Sequence, residues 1–166
     1  MKTDDAYIGL GSNLDDPRAQ VERALDELHV LPSTRLAAIS PLYRSRPLGP
    51  QDQPDFVNAV ARLETALAPE RLLTELQQIE ARHGRKRGGV RWGPRSLDLD
   101  LLIYGRRRID SGRLTVPHPQ LSVRAFVLYP LADVAPAALE IPGFGRLDAL
   151  LDHVGRDGLI ELGENE

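Results

Sequence analysis

Hydrophobic positions change their spacing along the chain, and each change marks an element. Ala6 to Leu10 is a short apolar run ending in Gly9-Leu10-Gly11-Ser12-Asn13, which predicts a buried strand breaking into a tight turn. Asp16-Pro17 then supplies a helix cap and a first-turn proline, and Val21, Ala24, Leu25 and Leu28 recur at helical spacing. The first helix is therefore predicted from Pro17 to Leu31. Arg35 to Tyr43 favours a strand, and Phe56 to Leu63 alternates well enough to pair with it. Pro69 opens a second helix that buries Leu72, Leu73, Leu76 and Ile79 until Gly84 stops it. Leu97 to Tyr104 is a strand with a polar pair among branched apolar residues, followed by a turn and short strand over Asp110 to Thr115. Phe126 to Leu131 is another apolar element, and Leu147 to Val154 a short closing helix. The acidic tail from Glu161 to Glu166 is expected to fray. Strand, helix, strand, strand, helix, strand, then small additions, argues an α+β fold on a ferredoxin-like βαββαβ core.

Length and composition narrow this picture. The 166 residues fit one domain, residues 1–166, large enough to bury a core without covalent staples. With no cysteine, disulfides and thiolate metal sites are excluded. A net charge of −3, from 21 basic and 24 acidic residues, argues against nonspecific nucleic-acid binding over the whole surface, so local basic clusters must carry any anion binding. The N-terminus has no basic segment followed by an apolar core, and no long apolar run occurs. A soluble cytoplasmic protein, with neither a membrane nor a nucleic-acid partner, is expected.

The candidate chemistry concentrates between Arg91 and Leu102. Residues two apart in a strand share a face, so Asp98 and Asp100 project side by side. Like charges that close stay ionised only with a cation nearby, and hard oxygen ligands suit Mg²⁺, which borrows its other ligands from water and substrate phosphates. Arg91 and Arg95 offer planar forks to phosphate oxygens, and Trp92 a face to an aromatic ring. Asp-x-Asp alone reads as an acidic strand end beside a basic loop; Arg-Trp-Gly-Pro-Arg directly before it favours the phosphate site.

Other segments are more ambiguous alone. Gly-x-Gly-Ser-Asn invites a phosphate-loop reading, but it lacks a following Lys-Ser/Thr and a third glycine at Rossmann spacing, which favours a structural turn. Residues 44–54, rich in proline and glycine, form a long loop between strands, suited to binding or a tolerated insertion. Phe56 and Asn58 share a strand face, as a flat heterocycle with donor and acceptor edges requires, although taken alone a core role for Phe56 and a strand-end cap for Asn58 are favoured. Arg85-Lys-Arg-Gly-Gly-Val-Arg91 suits a basic linker, a nucleic-acid patch or a lid that brings arginines onto a polyphosphate. His118, between two prolines, is pinned outside any helix, and one histidine is not a zinc site.

The run from Arg91 to Leu102, with Gly93-Pro94-Arg95, then Asp98-x-Asp100 and two aliphatics, resembles the signature of the 6-hydroxymethyl-7,8-dihydropterin pyrophosphokinase family of the folate pathway. The Gly-Ser-Asn-Leu after the first strand, the Pro-Leu-Gly-Pro-Gln-Asp-Gln-Pro-Asp loop and Thr115-Val116-Pro117-His118 resemble the same family, so the likeness covers nearly the full length. It implies an antiparallel sheet between helical layers. It also implies transfer of pyrophosphate from ATP to the hydroxymethyl group of the pterin, with AMP released and two Mg²⁺ ions held by Asp98 and Asp100. Arg85 and Arg95 are the catalytic cations by this resemblance. Gln77, Glu80, Arg87, Trp92, Arg95 and Leu101 fall on the ATP side, as do Arg113, Thr115, His118 and Arg124. Ser45, Arg46, Leu48, Phe56, Asn58, Trp92 and Phe126 fall on the pterin side, and a monomer is expected. Phe56 stands where the family commonly has tyrosine, Gly88 where it often has a basic residue, and Pro119 at an often aromatic position. Two rivals from other classes are an RNA-binding module, which would need RNP-type aromatics on the sheet, and a magnesium-dependent phosphohydrolase, which would share the aspartates but need an activated water.

Overall fold

The computed structural model describes residues 2–46, 53–84, 96–156 and 158–163. Strand β1, Asp4–Ser12, leads into helix α1, Pro17–His29, whose N-cap Asp16 accepts the Ala19 N–H through its side chain. Val21, Ala24, Leu25 and Leu28 form the buried stripe of α1, as their spacing predicts. The helix stops two residues short of Leu31, at a turn in which the Val30 and Leu31 N–H groups bond back to Glu27 and Leu28 carbonyls.

The single strand expected over Arg35 to Tyr43 is two strands, β2, Thr34–Ile39, and β3, Tyr43–Ser45. They part at Ser40-Pro41, where the Ser40 hydroxyl takes over the Val60 N–H and Pro41 has none to offer a ladder. Strand β4, Phe56–Thr65, pairs with both, and helix α2, Pro69–Arg82, returns the chain to β5, Asp98–Tyr104. Two small hairpins follow: β6, Ile109–Asp110, with β7, Thr115–Val116, and, beyond helix α3, Ala125–Val134, β8, Glu140–Ile141, with β9, Gly145–Arg146. Helix α4, Leu147–His153, precedes β10, Ile160–Glu161.

The main sheet runs β10-β3-β4-β1-β5, with β2 also on β4, and every neighbouring pair is antiparallel. Strands one, three and four of the βαββαβ unit thus lie in ferredoxin-like order, as expected. One face packs Ala6, Ile8, Leu10, Ala61, Leu63, Leu99 and Leu101 against the α1 and α2 stripes. The other packs Tyr7, Val60 and Leu102 against Leu121, Leu128 and Leu131 of the α3 side. Two cores on one sheet give a three-layer architecture.

Two sequence expectations change, and the type of a third element is settled. Gly9 and Gly11 lie within β1, paired on both sides, and the turn begins only at Asn13. Phe126 to Leu131 is helix despite Pro130, whose ring sits in an apolar helix already held by buried neighbours. Glu161, expected in a frayed tail, belongs to β10, because β3 leaves an open ladder edge for it; residues 164–166 lie outside the described residues.

Candidate active site at the polar end of the sheet

Strand β5 alternates Asp-Leu-Asp-Leu, and the alternation sorts its side chains by face. Leu99 and Leu101 enter the α1/α2 core, so Asp98 and Asp100 take the α3 face, both half-buried. Pairing carries this face across three strands. Asp98 is opposite Gly11 on β1, Gly11 is opposite Asn58 on β4, and Asn58 is opposite Tyr43 on β3. The next row holds Asp100, Gly9 and Val60. Directly paired residues share a face, so the carboxylate pair and the asparagine look the same way, separated by one strand that contributes only glycine there.

That glycine has a definite job. A Cβ at Gly11 would lie 3.3 Å from Asn58 Oδ1 and 3.8 Å from Phe56 Cδ1. The missing side chain leaves a floor on which Asn58 and Phe56 rest beside the acidic pair. Asn58 is buried, and its Nδ2 donates to Ser45 Oγ at 2.6 Å. With one amide N–H held, its second N–H and its carbonyl oxygen are the groups left for a ligand. Phe56 is opposite Ser45 in the ladder and half-buried. Arg46, the next residue, is exposed.

The segment from β7 into α3 brings the cations. Val116-Pro117 is cis, and His118 follows it, anchored by its N–H to the Leu102 carbonyl at 2.8 Å. The Gln120 N–H donates to His118 Nδ1 at 3.2 Å, so the neutral ring carries its proton on Nε2. Burial lowers the His118 pKa; the charge of Asp100 opposes this and Arg124 adds to it. Arg124 has its own pKa lowered by burial, against the pull of Asp100 and Asp98. Its guanidinium bonds Gln120 Oε1 and lies 5.6 Å over the Phe126 ring, which is half-buried against the α3 core. His118 and Arg124 therefore sit in the field of the aspartate pair, and Phe126 carries the cation on its face.

Five further candidates lie elsewhere, on α2, β5 and the β6–β7 hairpin. Arg113 donates to Gln77 Oε1 at 3.2 Å, to Thr74 Oγ1 at 2.6 Å and to Glu70 Oε2 at 3.3 Å. Thr115 is exposed on β7. Glu80 is buried, not solvated, and accepts the Leu99 N–H at 2.8 Å, which ties α2 to the peptide between the two aspartates. The Leu101 side chain belongs to the core under α1 and α2. Leu48, Arg85, Arg87, Trp92 and Arg95 lie outside the described residues, as does the basic segment expected to act as a lid.

Pattern reading passed over Asn13, Gly11 and Gln120. Asn13 is buried and donates from one amide nitrogen to Gln53 Oε1 at 2.8 Å and to the Pro54 carbonyl at 2.9 Å, closing the far end of the long loop onto the end of β1. A buried asparagine straight after a strand was the available signal. Among the described residues no cluster of three or more potential ligand side chains could hold a metal by itself, so a cation here would need ligands beyond the two carboxylates.

The comparisons with known proteins agree in direction. The model of the family described as 7,8-dihydro-6-hydroxymethylpterin-pyrophosphokinase matches residues 7–136. The chain is 54% identical over 156 residues to a 2-amino-4-hydroxy-6-hydroxymethyldihydropteridine pyrophosphokinase of Pseudomonas aeruginosa, covering 94% of this chain and 95% of that one. A Haemophilus influenzae protein of the same name is 53% identical over 157 residues, covering 95% and 97%. Among solved structures, Plasmodium falciparum HPPK-DHPS with pteroate superposes with a TM-score of 0.69 at 14% identity, over 92% of this chain. The chain spans 44% of that longer protein, and at this identity the likeness speaks for the fold.

Proposed function

The chain belongs to the 7,8-dihydro-6-hydroxymethylpterin-pyrophosphokinase family, and on that premise we propose how its residues divide the work. The family reaction moves pyrophosphate from ATP, the co-substrate, to the hydroxymethyl oxygen of 6-hydroxymethyl-7,8-dihydropterin in folate biosynthesis. That oxygen attacks the β-phosphorus, the bond from the β-phosphorus to the bridging oxygen breaks, AMP leaves and the hydroxyl proton is released.

The observation that carries the assignment is the row Asn58, Gly11, Asp98, which supports a pterin subsite and a phosphate subsite side by side on one sheet face. Asn58 reads the polar edge of the pterin with its remaining amide groups, Ser45 holds that amide in place, and Phe56 and Phe126 supply ring faces. Arg46 and Leu48 border this subsite by resemblance. The residues fit a hard cation, since two half-buried carboxylates share a face on a doubly anchored strand and their charge already opposes deprotonation of Arg124. Asp98 and Asp100 would hold two Mg²⁺ ions, which would neutralise polyphosphate charge and polarise phosphoryl oxygens.

His118, neutral with its proton on Nε2, donates a hydrogen bond to the polyphosphate, and Arg124 adds charge from the same side. Gln77, Glu80, Leu101, Arg113 and Thr115 form the nucleoside side along the β5 edge. Arg87 and Trp92 join them by resemblance, and Arg85 and Arg95 stabilise the charge that develops on transfer. Positioning and charge are most of what phosphoryl chemistry needs, so no strong general base is required. The 166 residues act as one pyrophosphokinase domain, as a cytoplasmic monomer with neither nucleic acid nor membrane as a partner. No described helix is long and apolar enough to cross a membrane.

The test is Asp98→Ala and Asp100→Ala. Each should lose most turnover with Mg²⁺ while melting as the parent does, because the apolar face of β5 still supports the strand. Near-normal turnover in either variant removes the carboxylate pair from the mechanism.

A further inference from the structure

We propose that the C-terminal strand β10 is a positioning element for pterin binding, acting through β3 on the Ser45–Asn58 pair; the inference rests on the pterin subsite assigned above. The match to the family model ends at residue 136, before this strand. Strand β3 has only three residues, and β4 holds one of its edges. Its other edge is held by β10, with Ile160 opposite Arg44 and Glu161 opposite Tyr43. The Leu162 N–H donates to the Leu42 carbonyl at 2.8 Å, one residue before β3 begins. The next carbonyl, at Gly163, accepts from Arg18 Nη1 of α1 at 2.7 Å. The tail is thus paired along the strand that carries Ser45 and held beyond it by α1.

What β3 delivers is a single short contact. Ser45 Oγ accepts from Asn58 Nδ2 at 2.6 Å, and that bond selects which amide groups Asn58 presents. Tyr43 bonds Asp133 of α3 through its hydroxyl, which fixes β3 against the helix layer but not along the plane of the sheet. A three-residue strand with one ladder partner holds its register weakly. In-plane restraint therefore falls to β10. The nucleotide side assigned above lies at β5, across β4 and β1 from β3, so its ligand should not depend on β3.

The experiment measures calorimetric affinity of the full-length protein for 6-hydroxymethyl-7,8-dihydropterin, with a nonhydrolysable ATP analogue and Mg²⁺ saturating, and separately for the analogue. Leu162→Pro removes the donor to Leu42, and Arg18→Gln, a milder change, loosens the hold on Gly163. Loss of one backbone hydrogen bond should weaken pterin binding about 2- to 10-fold in Leu162→Pro, with a smaller loss in Arg18→Gln and analogue affinity within about twofold of the parent. Asn58→Leu runs beside them. If it weakens pterin binding while Leu162→Pro and Arg18→Gln leave it unchanged, or if those two weaken both ligands equally, the role of β10 is overturned and the subsite stands. If Asn58→Leu itself leaves pterin binding intact, the subsite assignment fails first. Should Leu162→Pro not fold, Arg18→Gln decides by the same readings.

Discussion

Asn58→Leu tests the central assignment, because Asn58 holds two accounts of itself that separate experimentally. It is 4% exposed and donates at 2.6 Å to Ser45 Oγ, which is 7% exposed. Leucine is close in size but has no donor, so in the free protein the change strands a buried hydroxyl. An unpaired buried polar group costs about 1 to 3 kcal/mol. For a domain of this size that lowers the melting temperature by about 2 to 4 °C per kcal/mol, a clear shift without loss of fold. In the complex a second cost appears, since the pterin edge that met the amide now faces a methyl group. Each pterin group left unpaired should weaken binding by about 5- to 150-fold, the equivalent of 1 to 3 kcal/mol. ATP should be unaffected, because Asn58 lies on β4 and the nucleotide residues gather at β5, with β1 between them. Thermal melts and calorimetry with each ligand decide it. A lowered melting temperature with parental pterin affinity would make Asn58 a purely structural residue. Loss of ATP binding with pterin binding preserved would mean the two subsites are exchanged.

The remaining predictions concern the floor, the histidine and the basic segment. Gly11→Ala places a methyl group 3.3 Å from Asn58 Oδ1, whose amide is held by Ser45; pterin affinity should fall while turnover at saturating pterin stays near normal, and an unchanged KM for pterin would count against the close fit. His118 has a pKa lowered by burial, so the folded protein binds its proton less readily than the unfolded chain. Its contribution to stability is present above the unfolded value of about 6.5 and is lost as pH falls through the lower folded value; melts from pH 8 to pH 5 should show this loss, and His118→Gln should flatten it. Arg85→Ala should slow the single-turnover step by about 10²- to 10³-fold, as for loss of one preorganised donor, with ATP affinity largely kept; collapse of ATP affinity at a normal single-turnover rate would refute a role in transfer.

What was legible in the chain is what depends on near neighbours. The alternation Asp98-Leu99-Asp100-Leu101 sets which side chains share a face, and the structure keeps that sorting. The helical stripes of α1 and α2 and the Asp16-Pro17 start are likewise properties of one turn of chain. The run from Arg91 to Leu102 declared its family because the residues that handle phosphate stand consecutively. What the tertiary structure alone decided is register between segments distant in sequence. That Gly11 is the floor between Asn58 and Asp98 follows from two strand pairings, and a shift of one residue in either would send those side chains to opposite faces. Glu80 is buried, because α2 packs where β5 begins and the Leu99 N–H needs an acceptor. Glu161 looked like the start of a frayed acidic tail for the same reason: its partner, the open edge of β3, lies more than a hundred residues away, and no local pattern encodes an edge.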